Sequence, residues 1–314
     1  MLKLIYNEQM KMYIRKSTWI MYILLAVIIV GFAFLMQTAD ETVKYTEENW
    51  QAELQKENEQ LLAENAKETE EFLIEYNMEI MAENNYYLEH DIKPPNEDTW
   101  YFLRESAGLL SLVSLFTIII GSSIVANEFR WGTIKLLLIR PISRSKNLLS
   151  KYISVLLFAL TATIFTFIIS LLIGSILFGF DSINPIAAVE RDGQLIGVSI
   201  ANEAISDYAY NLVNLVMMTT FAFMISVLFR NSTLAIGLAI FLMMAGNTIV
   251  AFFAERSWAK YILFANTDLK SVANGTMWLE GMTLPLSLTI LAIYYTAFMA
   301  LSWIVFTKRD VAGQ

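Results

Sequence analysis

Charge is missing from long stretches of this chain and crowded into the stretches between them. Five runs carry no charged residue over at least 21 positions: Ser106–Asn127, Tyr152–Phe180, Tyr208–Phe229, Asn231–Ala254 and Gly281–Thr307. A sixth, Trp19–Met36, has 18 uncharged residues. About 20 apolar helical residues cross a hydrocarbon core. The pattern therefore predicts an all-α polytopic membrane protein with six transmembrane helices, over 19–36, 106–126, 152–180, 208–229, 231–254 and 286–307. The first run is longer than the apolar core of a signal peptide, and no clear small-x-small site follows it. It is read as a retained span.

The polar stretches have patterns of their own. In residues 1–18, Lys3, Asn7, Lys11 and Arg15 recur every fourth position, one polar stripe along a helix, with Leu2, Ile5, Tyr6 and Tyr13 lying away from it. This predicts an amphipathic interfacial helix; a plain positive flank before the first span is the simpler alternative. Within 37–105, the stretch 49–80 is rich in helix formers and free of Pro and Gly. Trp50, Leu54, Leu61, Phe72, Tyr76 and Ile80 fall near one face, which predicts a long helix or a bent helical arm. Lys93-Pro94-Pro95 ends it. Segment 181–207 is read as a loop. In 255–285, Trp258, Tyr261 and Trp278 suit a membrane surface, so short re-entrant-like helices are expected before the last span.

Composition agrees with the pattern: 56% of the 314 residues are hydrophobic, above the usual share of a soluble domain. Charge sets a direction. With the N-terminus in the cytoplasm, the inside segments 1–18, 127–151, 230 and 308–314 hold 13 Lys and Arg in about 51 residues, against 9 in about 122 outside. That bias is the positive-inside pattern and puts both termini in the cytoplasm. Segment 37–105 carries 19 acidic and 5 basic residues. An acidic extracytoplasmic insert thus faces a basic surface suited to anionic lipid. Nothing points to nucleic acid.

Absences narrow the function. There is no cysteine, so no thiolate site. His90 is the only histidine and reads as a solvated loop residue; a zincin needs two on one helix turn. The six runs hold no ionisable residue, which weighs against proton-coupled carriers and charge-lined pores. Their polar exceptions include Asn211, Asn214 and Asn247, with Thr219 and Thr220. Either these join helices by hydrogen bonds or the three asparagines line a substrate path. No G-x-x-x-x-G-K-[ST] loop is present. The chain is expected to bind no cofactor and to hydrolyse no ATP, so driven transport would need a partner gripping its cytoplasmic face.

The largest cytoplasmic surface is 127–151. Gly132 permits a sharp turn after the second span. Thr133 can cap a short helix over 134–139, Pro141 ends it, and Ser143 can cap the next. The result is an elbow with Leu136, Leu137 and Leu138 inward and Arg130, Lys135, Arg140, Arg144 and Lys146 in water. Glu128, its only acid, is expected to pair with Arg130, Lys135 or a basic group on a partner. From the residues alone, a basic membrane-flanking loop fits as well.

The stretch resembles the segment after the second transmembrane helix of type-2 ABC exporter permeases, whose pattern is E-[FY]-x-x-G-T-x-x-x-L-L-x-x-P-x-S-R. Here Glu128, Phe129, Gly132, Thr133, Leu137, Leu138, Pro141, Ser143 and Arg144 match it without departure. The segment KYILFANTDL, 260–269, is similar to the one before the last span of bacitracin-exporter-like permeases. The resemblance implies that the elbow is a coupling helix. It would dock on a separate ABC ATP-binding subunit, present in two copies, which holds the ATP and Mg. A second permease chain, identical or different, would complete the unit in the bacterial plasma membrane. The substrate class implied is an amphipathic antimicrobial peptide or drug. Three alternatives carry different tests: a membrane sensor with a ligand-binding outer arm, an ion-coupled carrier, and an intramembrane enzyme.

Overall fold

A computed structural model describes residues 1–39, 45–133 and 142–308. The chain is an all-α multi-pass membrane protein with one small β-hairpin. In order come α1 (Leu2–Tyr13), α2 (Lys16–Ala39), α3 (Trp50–Asn65), α4 (Glu71–His90), α5 (Thr99–Ser106) and, after a 3-10 turn over Ala107–Leu109, α6 (Leu110–Arg130). Then follow α7 (Arg144–Leu177), β1 (Ile186–Arg191), β2 (Gln194–Ser199), α8 (Ile200–Phe229), α9 (Ser232–Phe252), α10 (Leu269–Asn274) and α11 (Leu284–Lys308). Two short 3-10 turns, Ala259–Tyr261 and Leu263–Asn266, precede α10. Among the described residues, six helical stretches are long and apolar enough to cross a membrane: Lys16–Thr38, Thr99–Arg130, Arg144–Leu177, Ile200–Phe229, Ser232–Phe252 and Leu284–Lys308.

Residues of α6 and α8 fill the centre of the bundle, where Ile118, Met218 and Ala222 are buried with Ala239 of α9. Along α2, Leu25, Ile29 and Ala33 are buried in one cluster with Val155, Phe158 and Ala162 of α7. Ile20, Ile23, Val27 and Leu35 of the same helix remain exposed. An apolar helix with one buried face presents the other to lipid.

Three findings refine the expectations. The spans run further than the charge-free blocks, so α8 carries Glu203 and Asp207, α6 carries Glu128, and α7 carries Lys151. All four are buried at the ends of their helices, which corrects the reading that the spans lack ionisable groups. Segment 45–98 forms two helices. Asn58 donates to Asn85 at 3.0 Å and Asn77 to Asn65 at 2.8 Å, so α3 and α4 lie side by side as a hairpin. Trp50 and Leu54 are buried with Tyr87 at its base, while Phe72 and Tyr76 are exposed. One continuous apolar face is therefore not used. Lastly, 186–199 is an antiparallel hairpin turning at Asp192 and Gly193, where a plain loop was expected. It is tied to the arm by the Ala188 amide, which donates to the Tyr87 hydroxyl at 2.9 Å.

Candidate functional site

Among the described residues, two groups of polar side chains bear on the expected sites. The first surrounds the ends of the elbow. α6 ends at Arg130, and Gly132 takes a left-handed φ of 69° with open space around it, as the turn requires. The Thr133 hydroxyl turns back to the Glu128 carbonyl at 3.4 Å. At the other side Ser143 caps α7, accepting from the Lys146 amide at 3.4 Å. Leu137, Leu138 and Pro141 lie outside the described residues, as do Lys135, Arg140 and the tail 309–314.

Both flanks are bound to other helices. Lys151, on α7, has no exposed surface and donates to Glu128 at 2.5 Å and to Glu8 of α1 at 2.9 Å. Lys11 adds 2.6 Å to Glu8 and stands 3.8 Å from Glu128. Burial opposes the charge of Glu8, but Lys151 and Lys11 outweigh it and hold its carboxyl below the ordinary range. Gln9 adds a bond from α1 to the Ser154 carbonyl at 2.8 Å. Phe129 packs edge-on to Phe306 at 6.4 Å and beneath the Arg230 guanidinium at 4.4 Å. Arg144 donates to the Thr307 carbonyl at 3.1 Å, and Trp303 to the Ser145 hydroxyl at 3.0 Å. The short segment between α6 and α7 is thus anchored at both ends to α1, α8 and α11. Glu128 takes Lys151 as its main partner, where Arg130, Lys135 or an outside base was expected. Glu8 and Lys151 escaped the sequence reading because they stand 143 positions apart. The one available signal was that Glu8 is the only acid in residues 1–39.

The second place brings Asn211, Asn214 and Asn247 together. They line one cavity of about 230 Å³ between α8, α9 and the segment before α11, with Tyr210, Thr267 and Lys270 among its polar walls. The spacing of Asn211 and Asn214 puts both on one face of α8. None of the three side chains bonds to another helix among the described residues. Asn211 donates to the Asp207 carbonyl of its own helix at 2.9 Å. The side chains of Asn214 and Asn247 make no hydrogen bond among the described residues. Beside the cavity, buried Asp207 accepts from Lys270 at 2.6 Å, with Arg104 at 3.9 Å. Among the described residues no cluster of His, Cys, Asp and Glu is arranged to hold a metal.

Comparison with known proteins places relatives beside these features. The family described as "Protein of unknown function (DUF2705)" matches residues 68–312. An "Uncharacterized protein YhcI" of Bacillus subtilis (strain 168) is 44% identical over 319 residues, covering all of both chains. An "Uncharacterized membrane protein YdbK" of the same organism is 33% identical over 213 residues, 67% of this chain and 82% of its own.

Proposed function

We propose that this chain, which belongs to the DUF2705 family, is the membrane-spanning permease subunit of an ATP-driven ABC exporter in a bacterial plasma membrane. It has no ATPase site of its own. Two copies of a separate ATP-binding subunit, holding the ATP and Mg, dock on the elbow between α6 and α7, and a second permease chain completes the unit. Both termini lie in the cytoplasm and the α3–α4 arm outside.

The observation that carries this reading is the double anchoring of the elbow. A lever transmits motion only if its ends are fixed to what it moves. Lys151 ties the entry through Glu128 and α1, and Arg144 ties the exit to the end of α11. The two flanks, with Phe129 beneath Arg230, are thereby connected to α6, α7, α8 and α11, four of the six spans. The resemblance of 128–144 to the coupling segment of type-2 exporters supports the same role. The asparagine cavity is the candidate substrate path.

Co-expression and pull-down of this chain tests the proposal. An ATP-binding subunit is expected to co-purify, and its ATP hydrolysis in lipid vesicles to depend on this chain. Gly132→Val is expected to leave the chain inserted and to abolish ATP-driven export, since a β-branched residue resists a left-handed turn. Full export by that variant would remove the coupling role. A second reading, a membrane sensor, draws on the Tyr87–Ala188 bond, which links the outer arm to the hairpin that leads into α8. It requires a cytoplasmic partner that responds to an outside ligand without ATP turnover.

A further inference from the structure

A cavity of about 290 Å³ opens between α1 and the last turns of α6. Its α6 wall is one helical face: Ile120, Ser123, Ile124, Asn127, Glu128 and Trp131, spaced by three and four residues. Polarity rises along that face. Ile120 and Ile124 line the end nearer the middle of the span, and Met12 of α1 adds a third apolar side chain. Asn127 and Trp131 line the end where α6 finishes. The cations stand at this polar end. The Lys11 ammonium is 3.8 Å from Glu128, and the Arg15 guanidinium lies 5.7 Å from the centre of the Trp131 ring.

Exposure decides which of the charges a ligand can reach. Glu8 spends its two oxygens on Lys11 and Lys151. Glu128 gives one oxygen to Lys151, and its other oxygen, which has no partner, is buried. The two acid side chains are only 7% and 11% exposed. The Lys11 side chain is 44% exposed and has donors beyond its bond to Glu8. Arg15 is exposed and makes no ion pair among the described residues. The reachable charge is therefore positive, above acids already held by Lys151 from behind. The sequence after Thr133 adds Lys135 and Arg140 and no acid before Pro141. The side chains of Asn127 and Trp131 make no hydrogen bond among the described residues, so both have N–H donors to offer.

We propose that this cavity seats the phosphate of a glycerophospholipid with a net negative head, the start of one acyl chain lying against Ile120, Ile124 and Met12. Such a lipid has the same order of polarity as the wall, its charge at the helix end and its chain toward the bilayer middle. A phosphodiester accepts several hydrogen bonds at once, and an arginine fork beside a lysine supplies them. A choline head is not matched. Its cation would meet Lys11 and Arg15 as like charges and no exposed carboxylate. The aromatic ring that could hold it, Trp131, already has Arg15 over it. At about 290 Å³ the space lies just under the usual range for an entire ligand. It takes a head and the first carbons of a chain, and the rest of the tail stays in the bilayer. Binding of this kind is independent of the exporter reading.

The test uses the full chain in phosphatidylcholine nanodiscs doped with a phosphatidylglycerol that carries a photoreactive group near the start of one acyl chain. Crosslinks are expected to concentrate within 8–15 and 120–133. The same group carried on phosphatidylcholine is expected to label these positions weakly, and inorganic phosphate is expected not to compete. Arg15→Gln is expected to weaken the phosphatidylglycerol crosslinks about tenfold, the loss of one charge-assisted hydrogen bond. Its thermal midpoint is expected to match the parent, since Arg15 is exposed. Lys3→Gln removes a charge from the same polar stripe outside the cavity and is expected to leave the crosslinks unchanged. Equal losses in the two variants would reduce the attraction to diffuse surface charge and overturn the proposal. Equal labelling by the two lipids would remove the selection for a negative head, and competition by inorganic phosphate would remove the lipid; either result overturns it. Crosslinks spread evenly over the lipid-facing helices would overturn it as well. The assay contains no ATP-binding subunit, so its failure leaves the exporter reading untouched.

Discussion

Lys151 meets Glu128 at 2.5 Å without exposing any surface of its own. The same ammonium holds Glu8, so one cation serves two buried carboxylates from two other helices. Breaking a buried pair by removing one partner costs about 3–5 kcal/mol, because the other charge is left without compensation. Lys151→Met is therefore expected to lower the thermal midpoint of the purified chain sharply. Adding Glu8→Gln and Glu128→Gln is expected to restore most of the loss, since no buried charge is then orphaned and Lys11, which loses its partners, is partly exposed to water. A single Lys151→Met that melts like the parent would show that the cluster contributes nothing.

The same cluster sets an acid limit on the docking of α1. The carboxyl of Glu8 faces Lys151, Lys11 and Glu128, and the two lysines hold it below its ordinary value of 4.5 against the effect of burial. A lowered carboxyl contributes stability that is fully present above its unfolded value and is lost as pH falls through the folded one. The contribution of Glu8 should hold at pH 5 and fade below its ordinary value. A fluorophore on Leu2→Cys, in a chain with no other cysteine, reports the release of α1. The Glu8 contribution is the part of the acid transition that disappears in Glu8→Gln. If parent and variant give the same acid curve, Glu8 does not hold the helix.

The seat of Phe264 gives a third test. Gly246→Ala would bring a methyl group within 2.5 Å of that ring, so the segment before α11 must shift. Overpacking of this kind costs about 1–3 kcal/mol. The expected result is lower stability in Gly246→Ala and recovery in Gly246→Ala/Phe264→Leu, because the smaller side chain reopens the space. Loss without recovery would place the strain elsewhere.

Much of this architecture was legible before any coordinates. Span length and hydropathy are local properties, and six apolar runs became six spanning helices. The asparagines could be named individually, but their meeting in one cavity depends on how α9 lies against α8, which no local pattern encodes. Glu8 and Lys151 were invisible for the same reason. The β-hairpin is different. Asp192-Gly193 between two short strands is a recognised two-residue turn signal, and both residues do have positive φ, 51° and 74°. The reading of 181–207 as a loop missed this signal. On the arm, the apolar spacing suggested one face, but a turn after Asn65 folds α4 back on α3 and splits that face in two.

The arm sets the last prediction. Its stretch 37–105 carries 19 acidic against 5 basic residues, and a field of that sign concentrates cations over roughly 10 Å at 0.1 M salt. On the exporter reading the arm gathers a cationic amphipathic peptide outside. Deleting Glu48–Glu89 and closing the gap with a short flexible linker removes Trp50, Leu54 and Tyr87 together. The three buried residues of the base cluster leave together, and only the partly buried Tyr45, Ile92 and Ala188 remain of its surroundings. The Ala188 amide loses its hydroxyl partner at an exposed hairpin that water can reach. Insertion and basal ATP hydrolysis of the complex are therefore expected to persist. Export of cationic peptides, or resistance to them, is expected to change several-fold at low salt and much less at high salt, with uncharged lipopeptides unaffected. Loss of basal hydrolysis would make the arm part of the transport machine itself. An unchanged response to every cationic peptide would leave its charge without this role.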